Sequence, residues 1–174
     1  MKKMPLWSVV GFTFVSVAGT LLHFVYEWSG EPVLLAPFCA VNESIWEHMK
    51  LLYYPMLAFF FIEWRFRNGK TPAFFCSYLF GTLAGIVLIP ILYYTYTGAL
   101  GIFSDAVNIG IFFVSAAAAF FCIRYLESRL SGRFSSACVA FLILIGAVFA
   151  VFTFFPVKIP IFRDPVTGGY GIRI

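Results

Sequence analysis

Two short stretches concentrate the residue types able to do chemistry. In the first, Thr13, Ser16, Thr20, His23 and Glu27 recur at spacings of 3, 4, 3 and 4, which lines one face of a helix. The second, Asn42 to Tyr54, holds Glu43, Glu47, His48 and Lys50. Imidazoles and carboxylates are ligands suited to zinc or a similar divalent ion. His23, Glu27, Glu43 and His48 are the candidate metal ligands. Glu47, a carboxylate left off the metal, is the candidate catalytic base to a metal-bound water. The spacings H-x-x-x-E and E-x-x-x-E-H match no established ligand signature, and no nucleophile stands out.

Local helix chemistry accounts for part of this pattern. His23 and Glu27, one turn apart, suit a hydrogen bond at a helix end. Ser44 followed by Glu47 fits a capping box; alternatively Asn42 caps and the helix dipole favours Glu43. Lys50 resists such an account. It lies about two turns into the helix, roughly 9 Å along the axis, and there it needs a carboxylate partner. Glu47, three residues earlier on the same face, or Glu43 is expected to supply it. His48 points about 100° away from Glu47. Asp105 and Asn108 open a later apolar run at the same level, and the tail adds Asp164. The expectation is one outward-facing polar pocket. It would gather His23, Glu27, Glu43, Glu47, His48 and Asp105 over Lys50 as a floor, with Asn42, Tyr54, Asn108 and Asp164 beside them.

The elements that must position these groups are membrane spans. Of 174 residues, 61% are hydrophobic and 11% charged, with a mean hydropathy of +0.92. Soluble domains run near 45–50% and about 25%, so a soluble globular protein and a disordered chain are both excluded. The sequence predicts an all-α integral membrane protein, a single domain built as a compact bundle of five transmembrane helices. The expected spans are 5–26, 44–64, 72–94, 105–125 and 135–155, followed by a tail over 157–174. Lys2, Lys3, Arg65, Arg67, Lys70, Arg124, Arg129 and Arg133 fall on one side; Lys158, Arg163 and Arg173 fall on the other, all in the tail. The positive-inside rule then sets the N-terminus in the cytoplasm and the tail outside, in a multi-pass protein of the plasma (inner) membrane. The stretch 33–40 is too short to span and reads as a loop or re-entrant segment. Gly81, Ala84 and Gly85 predict close helix packing. Glu63, beside Arg65 and Arg67, and Glu127 read as interfacial ion pairs. Cys76, Cys122 and Cys138 fall near inner helix ends and Cys39 lies alone on the other side, so no disulfide is expected.

The net charge of +4 does not indicate nucleic acid, because topology accounts for most of the basic residues. No phosphate-binding glycine loop, CxxC or HExxH occurs. Residues 22–30 (LHFVYEWSG), 41–50 (VNESIWEHMK) and 162–171 (FRDPVTGGYG) resemble a family of small bacterial membrane proteins of uncharacterised function. The N-E-S-x-W-E-H-x-K stretch is the most specific part. The resemblance implies a compact multi-span protein and brings no assigned activity.

Three function classes follow. One is a metal-dependent membrane hydrolase holding zinc or a similar divalent ion. Another is a small transporter, channel or solute-binding subunit, with Glu47, Lys50 and Tyr54 lining its cavity. Since no inverted repeat is visible, a homodimer would supply its second half. The last is an accessory protein whose polar groups tie loops and tail to the bundle. The lipid bilayer is the partner common to all three.

Overall fold

A computed structural model describes residues 6–172. Lys2, Lys3 and Arg173, and the predicted start of the first span, lie outside them. The chain forms α1 (Leu6–Trp28), α2 (Ile45–Phe66), α3 (Phe74–Leu100), α4 (Asp105–Glu127) and α5 (Ser135–Phe154), then a single 3-10 turn, Pro160–Phe162. Among the described residues α1, α3, α4 and α5 are long and apolar enough to cross a membrane, as expected of a multi-pass membrane protein. α2, α4 and α5 begin and end, and α1 ends, within about two residues of expectation. The third runs through Pro90 to Leu100 instead of stopping near residue 94.

The helix that falls short on hydropathy occupies the centre. α2 carries Glu47, Lys50, Glu63 and Arg65, and it packs against each of the other four helices and the 3-10 turn. Glu47, Lys50 and Glu63 are buried within it. The more apolar helices therefore stand between these charges and the surroundings, turning residues such as Leu21, Phe121, Phe141 and Leu144 outward. Lipid tails are as apolar as leucine, so the bundle is held by close contact and internal hydrogen bonds rather than by exclusion of water. Phe59, Phe60, Phe74, Phe120 and Phe149 fill the core around α2. Where α3 meets α4 the glycines expected to permit close approach do so: a Cβ on Gly81 would sit 2.8 Å from the Ala119 carbonyl oxygen, and one on Gly85 2.9 Å from the Ala119 Cβ.

The absence of a disulfide, expected from compartment alone, is overturned. Cys76 and Cys138 are joined, with Cα atoms 5.0 Å apart. Each lies in the first turn of its helix, and α3 packs against α5, so residues 62 apart in sequence become neighbours. Cys39 and Cys122 are free.

The segment 33–40 is a chain of turns that folds back onto the bundle and buries Ala36 and Cys39. The tail is tied down as well. Trp46 packs on Phe162 with ring centroids 4.6 Å apart, and the Ile172 amide donates to the Thr153 carbonyl at 3.3 Å. Gly171, with φ of +62°, fits where a side chain would not: its Cβ would lie 2.8 Å from the Thr153 carbonyl oxygen.

Candidate metal centre

His23 on α1, His48 on α2 and Glu43 in the connection between them converge. Each imidazole Nε2 lies 3.6 Å from the same carboxylate oxygen of Glu43, and one ligand atom from each residue falls within 4.8 Å of the others. Local structure explains the approach. Ser44 is the N-cap of α2, its hydroxyl accepting from the Glu47 amide at 3.4 Å. The Ser44 amide in turn donates to the Asn42 side chain at 2.9 Å. That turn projects Glu43 toward α1. His48 Nδ1 lies 2.9 Å from the Ser44 carbonyl oxygen. A carbonyl can only accept, so Nδ1 is the donor and neutral His48 presents a bare Nε2 toward Glu43. Metal-ligating histidines commonly donate their other ring N–H to a backbone carbonyl in this way, which fixes the tautomer and the ring orientation. The neighbouring His23 imidazole, opposed by partial burial, holds the Glu43 carboxyl below its ordinary range.

The cluster opens into a cavity of about 550 Å³ between α1, α2, α3 and α4. Its walls are mainly apolar, with Leu51, Ile89 and Phe112 among them, and Asp105 and Asn108 supply further polar groups. Tyr96 donates to Asn108 Oδ1 at 2.7 Å. That fixes the amide so that its NH₂ is the free donor. Val166 of the tail reaches the same cavity. Tyr93 lines the same cavity, and the extension of α3 past residue 94 brings Tyr96 beside α4.

Thus His23, Glu43, His48, Asp105 and Asn108 share the cavity, and the other residues expected in one pocket are elsewhere. Glu27 is exposed at the end of α1, one turn beyond His23, and does not join the cluster. Glu47 lies on a different face of α2, 1% exposed. There it accepts from Lys50 at 2.5 Å and from the Val41 amide at 3.1 Å. A carboxylate so engaged is not placed to act as base in the cavity. Lys50 is not the cavity floor: it also donates to the Ala36 carbonyl and to Thr153, each at 2.8 Å. Tyr54 donates to the Gly146 carbonyl of α5 at 3.0 Å. Asn42 donates to the Gly171 carbonyl at 2.9 Å. Asp164 accepts from Val166 and Thr167 within its own turn. The full capping box is also half formed, because the Glu47 carboxylate turns to Val41 rather than to Ser44. Ser104, at the N-cap position of α4, makes no side-chain cap bond.

A second polar centre closes the opposite end of the bundle. Arg67 and Arg124 alternate with Glu63 and Glu127. Arg67–Glu63 is 2.9 Å, Arg124–Glu63 2.6 Å and Arg124–Glu127 2.9 Å, and an Arg67–Glu127 contact completes the ring. Tyr78 donates to Glu63, and Arg124 Nε donates to Ser8 at 2.9 Å. Glu63 is fully buried, and its partners are Arg67 and Arg124, not the adjacent Arg65. The only sequence signal for this ring is the pair of helical spacings Glu63/Arg67 and Arg124/Glu127.

Fold and site together define a small multi-pass membrane protein, a helical bundle with a polar centre at each end. Within that class, the chain belongs to a family described as "Family of unknown function (DUF6512)", whose model matches residues 1–172. Comparison with curated proteins and with solved structures gave no match.

Proposed function

We propose that this chain is a metal-dependent membrane hydrolase. It spans the bilayer five times, N-terminus inside and tail outside, and holds zinc or a similar divalent ion on His23, Glu43 and His48. The observation that carries the reading is the gathering of three ligand atoms within 4.8 Å at the edge of a cavity. Two imidazoles and a carboxylate form a recurrent donor set of hydrolytic zinc sites, which leave a fourth position open. His23, Glu43 and His48 would hold the metal, which would supply an activated water and polarise the bond to be cleaved. Asp105 takes the part of general base, and the Asn108 amide faces developing negative charge as a donor. In favour of α2 as the fifth span are its 22-residue length and its central position, where its charges meet protein instead of lipid.

Elemental analysis of the detergent-purified protein tests the metal. Stoichiometric zinc is expected, lost in Glu43→Gln and in His48→Ala and kept in Glu27→Gln. Amphiphilic ester, amide and phosphoester substrates then test turnover, which chelation should abolish and zinc restore. Zinc content no higher in the unaltered protein than in Glu43→Gln would end the metal reading. Zinc bound without turnover would reassign the cavity to solute binding.

A further inference from the structure

The cavity that meets the His–Glu cluster is deep, apolar and open in two directions. Phe113 lines it eight residues into α4, roughly 12 Å below the helix start. Ile89 lines it well below the end of α3. At the top, Glu43 and Asp105 are exposed beside the tail. Other exposed lining residues include Thr20 and Phe24 on α1 and Ile109 and Phe113 on α4. Each pair is one helical turn apart, so the two pairs form the facing edges of a seam between α1 and α4. This seam lies below the helix ends, on the flank that faces hydrocarbon in a spanning bundle. Inside it, Leu51 and Ile89 form a wall that is 3% and 4% exposed.

We infer that the site takes a membrane lipid, whose acyl chain enters sideways through the α1/α4 seam and lies against Leu51 and Ile89. The polar headgroup linkage then sits at His23, Glu43 and His48. This assignment rests on the hydrolase reading for what happens to the linkage; the seating of the chain stands on the cavity alone. The arrangement matches an amphiphile at both ends. A charged or hydrogen-bonding group meets the cluster together with Asp105 and Asn108, and an alkyl chain meets an apolar wall continuous with the bilayer. A water-soluble substrate would need neither the depth nor the lateral opening.

The test uses the whole protein in lipid nanodiscs with a phospholipid carrying a diazirine in its acyl chain. Irradiation should place adducts on Leu51 and Ile89 as well as on outward-facing positions such as Ile143 and Leu144, which are 52% and 53% exposed. Ile109→Trp, which adds bulk at an exposed rim position, should lose the inner adducts and keep the outer ones. Retained zinc and intact outer labelling report that this variant is folded. Adducts confined to Ile143, Leu144 and similar positions would overturn the inference, and so would inner labelling that Ile109→Trp leaves unchanged. Measuring the zinc content of the same protein as purified separates the two claims. Inner adducts without any bound metal retain the lipid cavity and sink only the hydrolase reading; zinc with no inner adducts does the reverse.

Discussion

Lys50 has no exposed surface, yet each of its N–H groups has an acceptor: Glu47 at 2.5 Å, the Ala36 carbonyl at 2.8 Å and the Thr153 hydroxyl at 2.8 Å. A buried pair this well satisfied is costly to break from one side, because the surviving charge is left without compensation. Lys50→Met is expected to destabilise the protein by about 3–5 kcal/mol, and adding Glu47→Gln should recover part of that loss. Thermal unfolding in detergent of both single variants and the double reads the coupling; strictly additive losses would show that the two side chains act independently. The Lys50–Glu47 pair was legible because it is local, three residues apart on one helical face. Its other two partners were not, since Ala36 and Thr153 lie 14 and 103 residues away. No periodicity reports contacts of that kind. The same limit hid the Asn42–Gly171 bond, which straps the tail to the start of α2.

At the scale of elements, composition and charge carried the number and type of helices, while the packing around α2 decided which of their faces meet. Glu47 and His48 are adjacent in sequence, and an α-helix turns by about 100° per residue. One therefore looks to α5 and Thr153, the other to α1 and His23. Sequence reading merged these two faces into one pocket because both carry ligand-type residues at the same depth. The small residues of α3 were read more securely, since close packing depends on side-chain size alone. They give a paired prediction. Gly81→Ala should lower the melting temperature, because its Cβ would approach Ala119 O and the Ile123 side chain at 2.8 and 2.4 Å. Gly98→Ala, on the same helix with nothing within 4 Å of the new methyl, should be neutral or stabilising by up to about 1 kcal/mol. Equal effects at the two sites would mean that the α3–α4 contact is not the close one described.

For the whole molecule, the two polar centres make the bundle asymmetric. The Arg67–Glu63–Arg124–Glu127 ring neutralises itself, so the charge left to orient the chain is the exposed set Arg65, Lys70, Arg129 and Arg133 at that same end. The opposite end offers only Lys158 and Arg163 among the described residues, both in the tail. This distribution supports the proposed orientation under the positive-inside rule, with the ring in the cytoplasm and the His–Glu cavity outside. The Cys76–Cys138 bond argues the other way, since it lies at the positive end and disulfides are rare in the cytoplasm. Burial weakens that objection: the two residues are 4% and 6% exposed, closed off from soluble reductant by the helices around them. Cysteine accessibility decides between the two arguments. In a protein with Cys39 and Cys122 replaced by serine, Val166→Cys should react with a membrane-impermeant maleimide on intact cells. Asn68→Cys, exposed in the α2–α3 connection, should react only after the membrane is opened. The reverse pattern would turn the cavity toward the cytoplasm, set the disulfide in an oxidising compartment, and make the substrate a lipid of the inner leaflet.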